Sequence, residues 1–133
     1  MRPGKPLMFG HYRSVPMIGL PGNPVSTLVC SLLFLKPAID KLSGLPEGTD
    51  GPLTARLGAA VRQNDRRQDY LRARLVRAAD GVLEAVPFEV QDSSMMRPLA
   101  SSDCLVVRPP HAPALPAGSE VQIIPFPGGA WPL

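Results

Sequence analysis

The chain is short of several residue types, and each shortage removes a class of protein. Cysteine occurs twice, at Cys30 inside an apolar run and at Cys104 beside Leu-Val-Val, so both are expected to be reduced core residues and a disulfide scaffold is excluded. The aromatics are four Phe, two Tyr and one Trp, with no aromatic strand pair on which bases could stack, and the net charge is only +3. A basic barrel that binds nucleic acid is therefore disfavoured, and no nucleic-acid partner is expected. The two histidines, His11 and His111, have no Cys or carboxylate at ligand spacing, so no metal site is expected. No nucleophile–base pair stands out, and Ser26 is not set in a G-x-S-x-G elbow. The most apolar run, Val25–Leu35, is too short to span a bilayer and carries Ser26, Thr27 and Ser31. The opening Met-Arg-Pro-Gly-Lys-Pro has no apolar core of a signal peptide. A soluble, cytoplasmic protein without a membrane partner is the expectation.

Proline and glycine are plentiful instead. Seventeen prolines and twelve glycines in 133 residues argue for turns and short strands, and the length suits one ordinary domain or a small domain plus a fragment. One convincing helix is expected at Pro24–Leu42, with Val25, Leu28, Val29, Leu32, Leu35, Ile39 and Leu42 on one face. Pro37 should kink it, because it cannot donate to Leu33, and Gly44 is placed to be the C′ residue. Residues 46–52, with Pro46, Gly48, Gly51 and Pro52, read as a linker.

From Leu53 the period changes to two. Leu53–Val61, Tyr70–Arg77, Val82–Phe88, Cys104–Arg108 and Glu120–Pro125 read as strands, with a turn at Ala79-Asp80-Gly81. On the second of these, Arg72 and Arg74 share one face and Leu71, Ala73 and Leu75 the other. The expected fold class is an α/β fragment, the βα end of a larger domain, over residues 1–45, followed by a small all-β antiparallel barrel-like domain over 53–133. The helix of the first part is apolar nearly all round, so another domain or chain should cover it. Arg56, Arg62, Arg66, Arg67, Arg72, Arg74 and Arg77 form a local basic excess, either a solvated strand face or an anion-binding face.

The chemistry on offer is anion binding. Gly19-Leu20-Pro21-Gly22-Asn23-Pro24 lies between an extended run and the helix. Gly22 can take φ > 0 and admit a ligand to the backbone, Asn23 suits the N-cap, and Pro24 suits the first helical position. Free N–H groups and a positive dipole end at the helix start would face an anion. Ser26 would help to cap that start. Upstream, Arg2 and Lys5 flank a Pro-Gly turn, while Arg72 and the Gln91-Asp92-Ser93-Ser94 turn form a second donor set.

Arg2-Pro-Gly-Lys-Pro, then Phe9-Gly, then Gly-Leu-Pro-Gly-Asn-Pro-Val-Ser and an apolar helix together resemble the molybdopterin molybdotransferase family, of MoeA and gephyrin type. The likeness is strongest over the first forty-five residues and covers the last third of a family member. The resemblance implies that residues 1–45 are the C-terminal end of a molybdopterin-binding domain of MoaB/Mog type, and that the reaction moves molybdenum from molybdate to adenylylated molybdopterin, releasing AMP with the help of Mg2+. It implies that Arg2 and Lys5 face the molybdate and phosphate, and that Gly19, Pro21, Gly22, Asn23, Pro24 and Ser26 hold the pterin phosphate. It also implies substrate contacts for Arg72, in an aromatic-x-Arg element, and for Ser93, in a turn where Asp92 replaces the family's glycine. The Mg2+ ligands lie upstream in the family, so no metal ligand and no activity of the chain alone are expected. Also implied are a homodimer of the full-length protein and a contact with the molybdopterin adenylyltransferase. Met1 matches a residue internal to family sequences, which suggests a truncated product or a misplaced start. A non-catalytic scaffold module of the same fold is the alternative.

Overall fold

A computed structural model describes residues 7–46, 53–89, 91 and 100–127. β1 (Met8–Tyr12) and β2 (Val15–Gly19) form an antiparallel hairpin. Its two-residue turn puts Arg13 at φ 56°, and the Arg13 guanidinium lies 5.5 Å from the centre of the Tyr12 ring. The hairpin feeds α1 (Pro24–Cys30), which continues through a π-helical turn at Ser31–Leu35 into α2 (Lys36–Leu42). The sequence predicts a kink at Pro37; the structure accommodates this proline by widening the preceding turn. There Lys36 N–H donates five residues back to Ser31 O, so the ladder skips past the missing donor. The helix ends as the sequence predicts. Gly44 takes φ 72°, Gly44 N–H donates to Lys41 O and Leu45 N–H to Asp40 O, which together make a Schellman cap.

β3 (Leu53–Leu57), β4 (Asp69–Arg77), β5 (Leu83–Pro87), β6 (Cys104–Arg108) and β7 (Glu120–Pro125) close a barrel in the order β3-β5-β4-β6-β7. The sequence predicts an antiparallel barrel, and all pairs but one are antiparallel. β3 and β5 pair parallel, with Arg56 opposite Glu84. The reason is parity: five strands cannot alternate direction around a closed ring. β3 also stops earlier than the pattern suggested. Gly58 passes so close to β5 that a Cβ there would lie 2.6 Å from Val86 Cγ2, and Val61 makes only an isolated bridge to Leu115. Inside, Ala55, Leu57, Ala73, Leu75, Ala85, Cys104, Val106, Val121 and Ile123 form the core, which is the inward set of each alternating strand. Burial pushes the Cys104 thiol up to about 12, with Asp103 adding to the effect, so this thiol stays protonated. Among the described residues no helix is long and apolar enough to cross a membrane.

Candidate functional site

The hairpin, the loop and the helix start bring Gly19, Pro21, Gly22, Asn23, Pro24 and Ser26 together. Gly19 has a packing reason to be glycine. It pairs with Met8 across the hairpin, and a Cβ would sit 3.2 Å from Met8 Cε. Asn23 caps the helix as expected: its Oδ1 accepts from Val25 N–H at 3.0 Å and from Ser26 N–H at 3.3 Å. Thr27 N–H donates to Asn23 O at 2.8 Å, and the Thr27 hydroxyl donates to Asn23 O and Pro21 O, tying the loop down from the first turn.

These bonds correct two expectations. The sequence offers the helix start as a row of free N–H groups, but Pro24 has none and those of Val25, Ser26 and Thr27 are engaged. Gly22 is not among the glycines with positive φ. What Gly22 provides is room. It is exposed, with nothing within 4 Å of where a Cβ would be, so a ligand can approach its backbone. Arg2, Lys5 and Ser93 lie outside the described residues.

Arg72 is on the outer face of β4 beside Arg74, as the alternation predicts, yet it is fully buried, with 0% of its surface exposed. Its cross-strand partner Leu105 is equally buried, and neither belongs to the interior cluster. The outer face of the barrel is therefore covered at this point, and Arg72 is not a donor on an open surface. Gln91 is brought to it: Gln91 Oε1 accepts Arg72 N–H at 2.9 Å, and Gln91 Nε2 donates to Arg72 O at 3.0 Å and to Phe88 O at 2.8 Å.

The basic cluster disperses in three dimensions. Arg56 is held by Asp80 and Glu84 at 2.7 Å each, which raises its pKa and holds the Asp80 carboxyl below its usual range. Arg77 Nη1 donates to Gly81 O at 2.6 Å, while Arg62, Arg66 and Arg74 are exposed. Sequence reasoning missed Asn64 and Arg108, two buried polar side chains that bind the loops at one end of the barrel. Asn64 Nδ2 donates to the carbonyls of Arg67, Arg108 and Pro109 at 2.7, 3.0 and 2.8 Å. Arg108 Nη2 donates to those of Arg62, Ala112 and Pro113, and burial lowers the Arg108 pKa, partly offset by Asp69. A charged residue ending an apolar strand was the available signal for Arg108; Asn64 had none.

The sequence pattern of the MoeA C-terminal region (domain IV) matches residues 54–126, which is the barrel from β3 to Phe126. The chain belongs to this family. It is similar to the molybdopterin molybdenumtransferase of Haemophilus influenzae, with 30% identity over 95% of this chain and 31% of the relative. It is likewise similar to molybdopterin molybdenumtransferase 2 of Mycobacterium tuberculosis, with 32% identity over 92% of this chain and 30% of the relative. A solved structure of a molybdopterin biosynthesis MoeA protein from Pyrococcus horikosii superposes with a TM-score of 0.75 and 30% identity, over 96% of this chain and 30% of that one. The chain thus spans less than a third of the length of these relatives. The match takes in the hairpin, loop and helix as well as the family barrel.

Proposed function

We propose that the chain is the C-terminal part of a molybdopterin molybdotransferase, which inserts molybdenum from molybdate into adenylylated molybdopterin and releases AMP. The observation that carries this reading is the alignment of nearly the whole chain, hairpin and loop included, with proteins named molybdopterin molybdenumtransferase. In this reading residues 1–45 end a molybdopterin-binding domain, 46–52 link, and 53–133 make the barrel domain. Partners of the full-length protein would be a second copy and the molybdopterin adenylyltransferase.

Phosphoryl chemistry asks a protein mostly for position and charge. Lys5 and Arg2 supply positive charge toward molybdate and phosphate. The Gly19–Pro24 loop supplies shape: Thr27 and Asn23 hold it rigid, and the open space at Gly22 lets the phosphate reach the backbone. Arg72 acts from within the barrel wall, and Ser93 belongs to the same second set. Among the described residues no three His, Cys, Asp or Glu side chains gather to hold a metal. The described residues therefore do not fit a Mg2+ site.

The test is molybdenum insertion by this chain alone and by the chain completed with the upstream part its relatives carry. Insertion only by the completed protein supports the reading, and Lys5→Ala should then lower turnover about ten- to a hundredfold, the value of one charge-assisted contact. Insertion by the chain alone, or none by the completed protein, contradicts it.

A further inference from the structure

A cleft of about 720 Å3 lies at the end of the barrel where β3, β5 and β6 finish and β4 begins. Leu71 of β4 and Arg108 of β6 line it from the inward face, in step with Ala73 and Val106 of the core. We infer that this cleft binds a small organic monoanion, a carboxylate on an apolar body, and that Arg108 receives the carboxylate. Such binding goes beyond the activity proposed above and needs no upstream part. Arg108 is the reason for it. Only 3% of this residue is exposed, and its bonds to the loops go to neutral carbonyls and all leave from Nη2. Nε and Nη1 take no part in those bonds, and among the described residues no carboxylate forms an ion pair with Arg108. Buried charges are ordinarily paired as well as hydrogen-bonded. Asp69 stands opposite in the β4–β6 ladder, but its attraction only partly offsets the burial that lowers the Arg108 pKa. A carboxylate beside the guanidinium supplies the missing charge and accepts from the nitrogens that the loops do not use. Asp69 and Glu89 also line the cleft and would repel a second negative charge, so a monoanion fits better than a dianion. Val61, Pro87 and Phe88, with Leu71, give the body of the ligand an apolar wall, and the volume is that of a small-molecule site.

Benzoate titrated into the whole chain, with backbone amide NMR as the readout, tests this. It should bind with a Kd of about 1 mM and shift the amides of Val61, Asn64, Leu71 and Phe88. Benzamide has the same ring without the charge and should bind about tenfold more weakly, as should acetate, which has the charge without the ring. Sulfate and molybdate, as dianions, should also bind there about tenfold more weakly than benzoate. Arg62→Ala removes a cation from the cleft and should weaken benzoate about threefold, whereas Arg66→Ala, an equal loss of charge outside its lining, should leave Kd within about 1.5-fold. Ala60→Glu adds a negative charge at an exposed position of the lining and should weaken benzoate about fivefold. Arg108→Met should abolish binding; where that variant fails to fold, Ala60→Glu and the comparison of Arg62→Ala with Arg66→Ala decide. Absence of saturable binding, or shifts that map away from the cleft, would overturn the proposal. So would benzamide binding as tightly as benzoate, which would make the cleft merely apolar. Equal effects of Arg62→Ala and Arg66→Ala would also overturn it, as would sulfate or molybdate binding there as tightly as benzoate.

Discussion

Residues 7–46 and 53–127 obey the same alternation and helix rules but differ in what becomes of their apolar side chains. In the barrel, Leu57, Val106 and Ile123 are essentially free of solvent. In the hairpin and helix, Met8 is 72% exposed, Phe9 68% and Leu42 72%, and Tyr12, Val15, Met17, Leu28 and Ile39 are also more than half exposed. The barrel closes on itself, so its inward faces have partners and no strand edge is left over. The hairpin has two open edges and the helix only Val25, Val29 and Cys30 buried, so this part has the sequence of an interior and the exposure of a surface. The difference matches a chain that spans under a third of its relatives.

The largest effect expected from breaking that contrast is on core truncation. Leu57→Ala and Ile123→Ala should each destabilise the barrel by about 2–5 kcal/mol, whereas Phe9→Ala and Leu42→Ala in this chain should stay within about 0.5 kcal/mol. Chemical denaturation of the four variants measures this, and adding the upstream part should make the second pair costly too. Next comes the loop staple at the barrel end. Arg108→Met strands the carbonyls of Arg62, Ala112 and Pro113 and should cost about 2–3 kcal/mol, with Asn64→Ala about 1–3 kcal/mol, both read from melting curves.

A smaller effect is expected at the parallel pair, where Arg56 meets Asp80 and Glu84. Asp80 has its folded pKa lowered, first by Arg56 and then by Val82 N–H. Its contribution is therefore present above the ordinary carboxylate range, near about pH 4, and is lost as pH falls below it toward the lowered folded value. Arg56→Leu should flatten that part of an acid-unfolding curve and leave neutral-pH behaviour of residues 7–46 untouched. Arg62→Ala and Arg66→Ala, at exposed positions, should change stability hardly at all.

Much of this architecture was legible because local chemistry and global fold agree. Strand period, the Gly81 turn, the Asn23 cap and the Gly44 stop each name a conformation that few other residues would choose. What was not legible depended on neighbours distant in sequence. Arg72 alternates correctly with Arg74, but no periodicity can tell that its face of the barrel is covered. The parallel β3–β5 pair follows from ring closure, which no single strand encodes. The helix start looked open because its donors are counted residue by residue, while the Asn23 side chain and carbonyl that accept them are settled by geometry. Candidate residues Gly22 and Asn23 were readable from the loop motif; the Gln91 clamp on Arg72 was readable only as proximity of two motifs.

Limited proteolysis with identification of the fragment ends tests the central contrast most directly. If the barrel is self-sufficient and the hairpin–helix part is not, early cleavage falls before Leu53 and leaves a resistant fragment that begins near it. A resistant fragment built on residues 7–46, with the barrel digested first, would contradict the account.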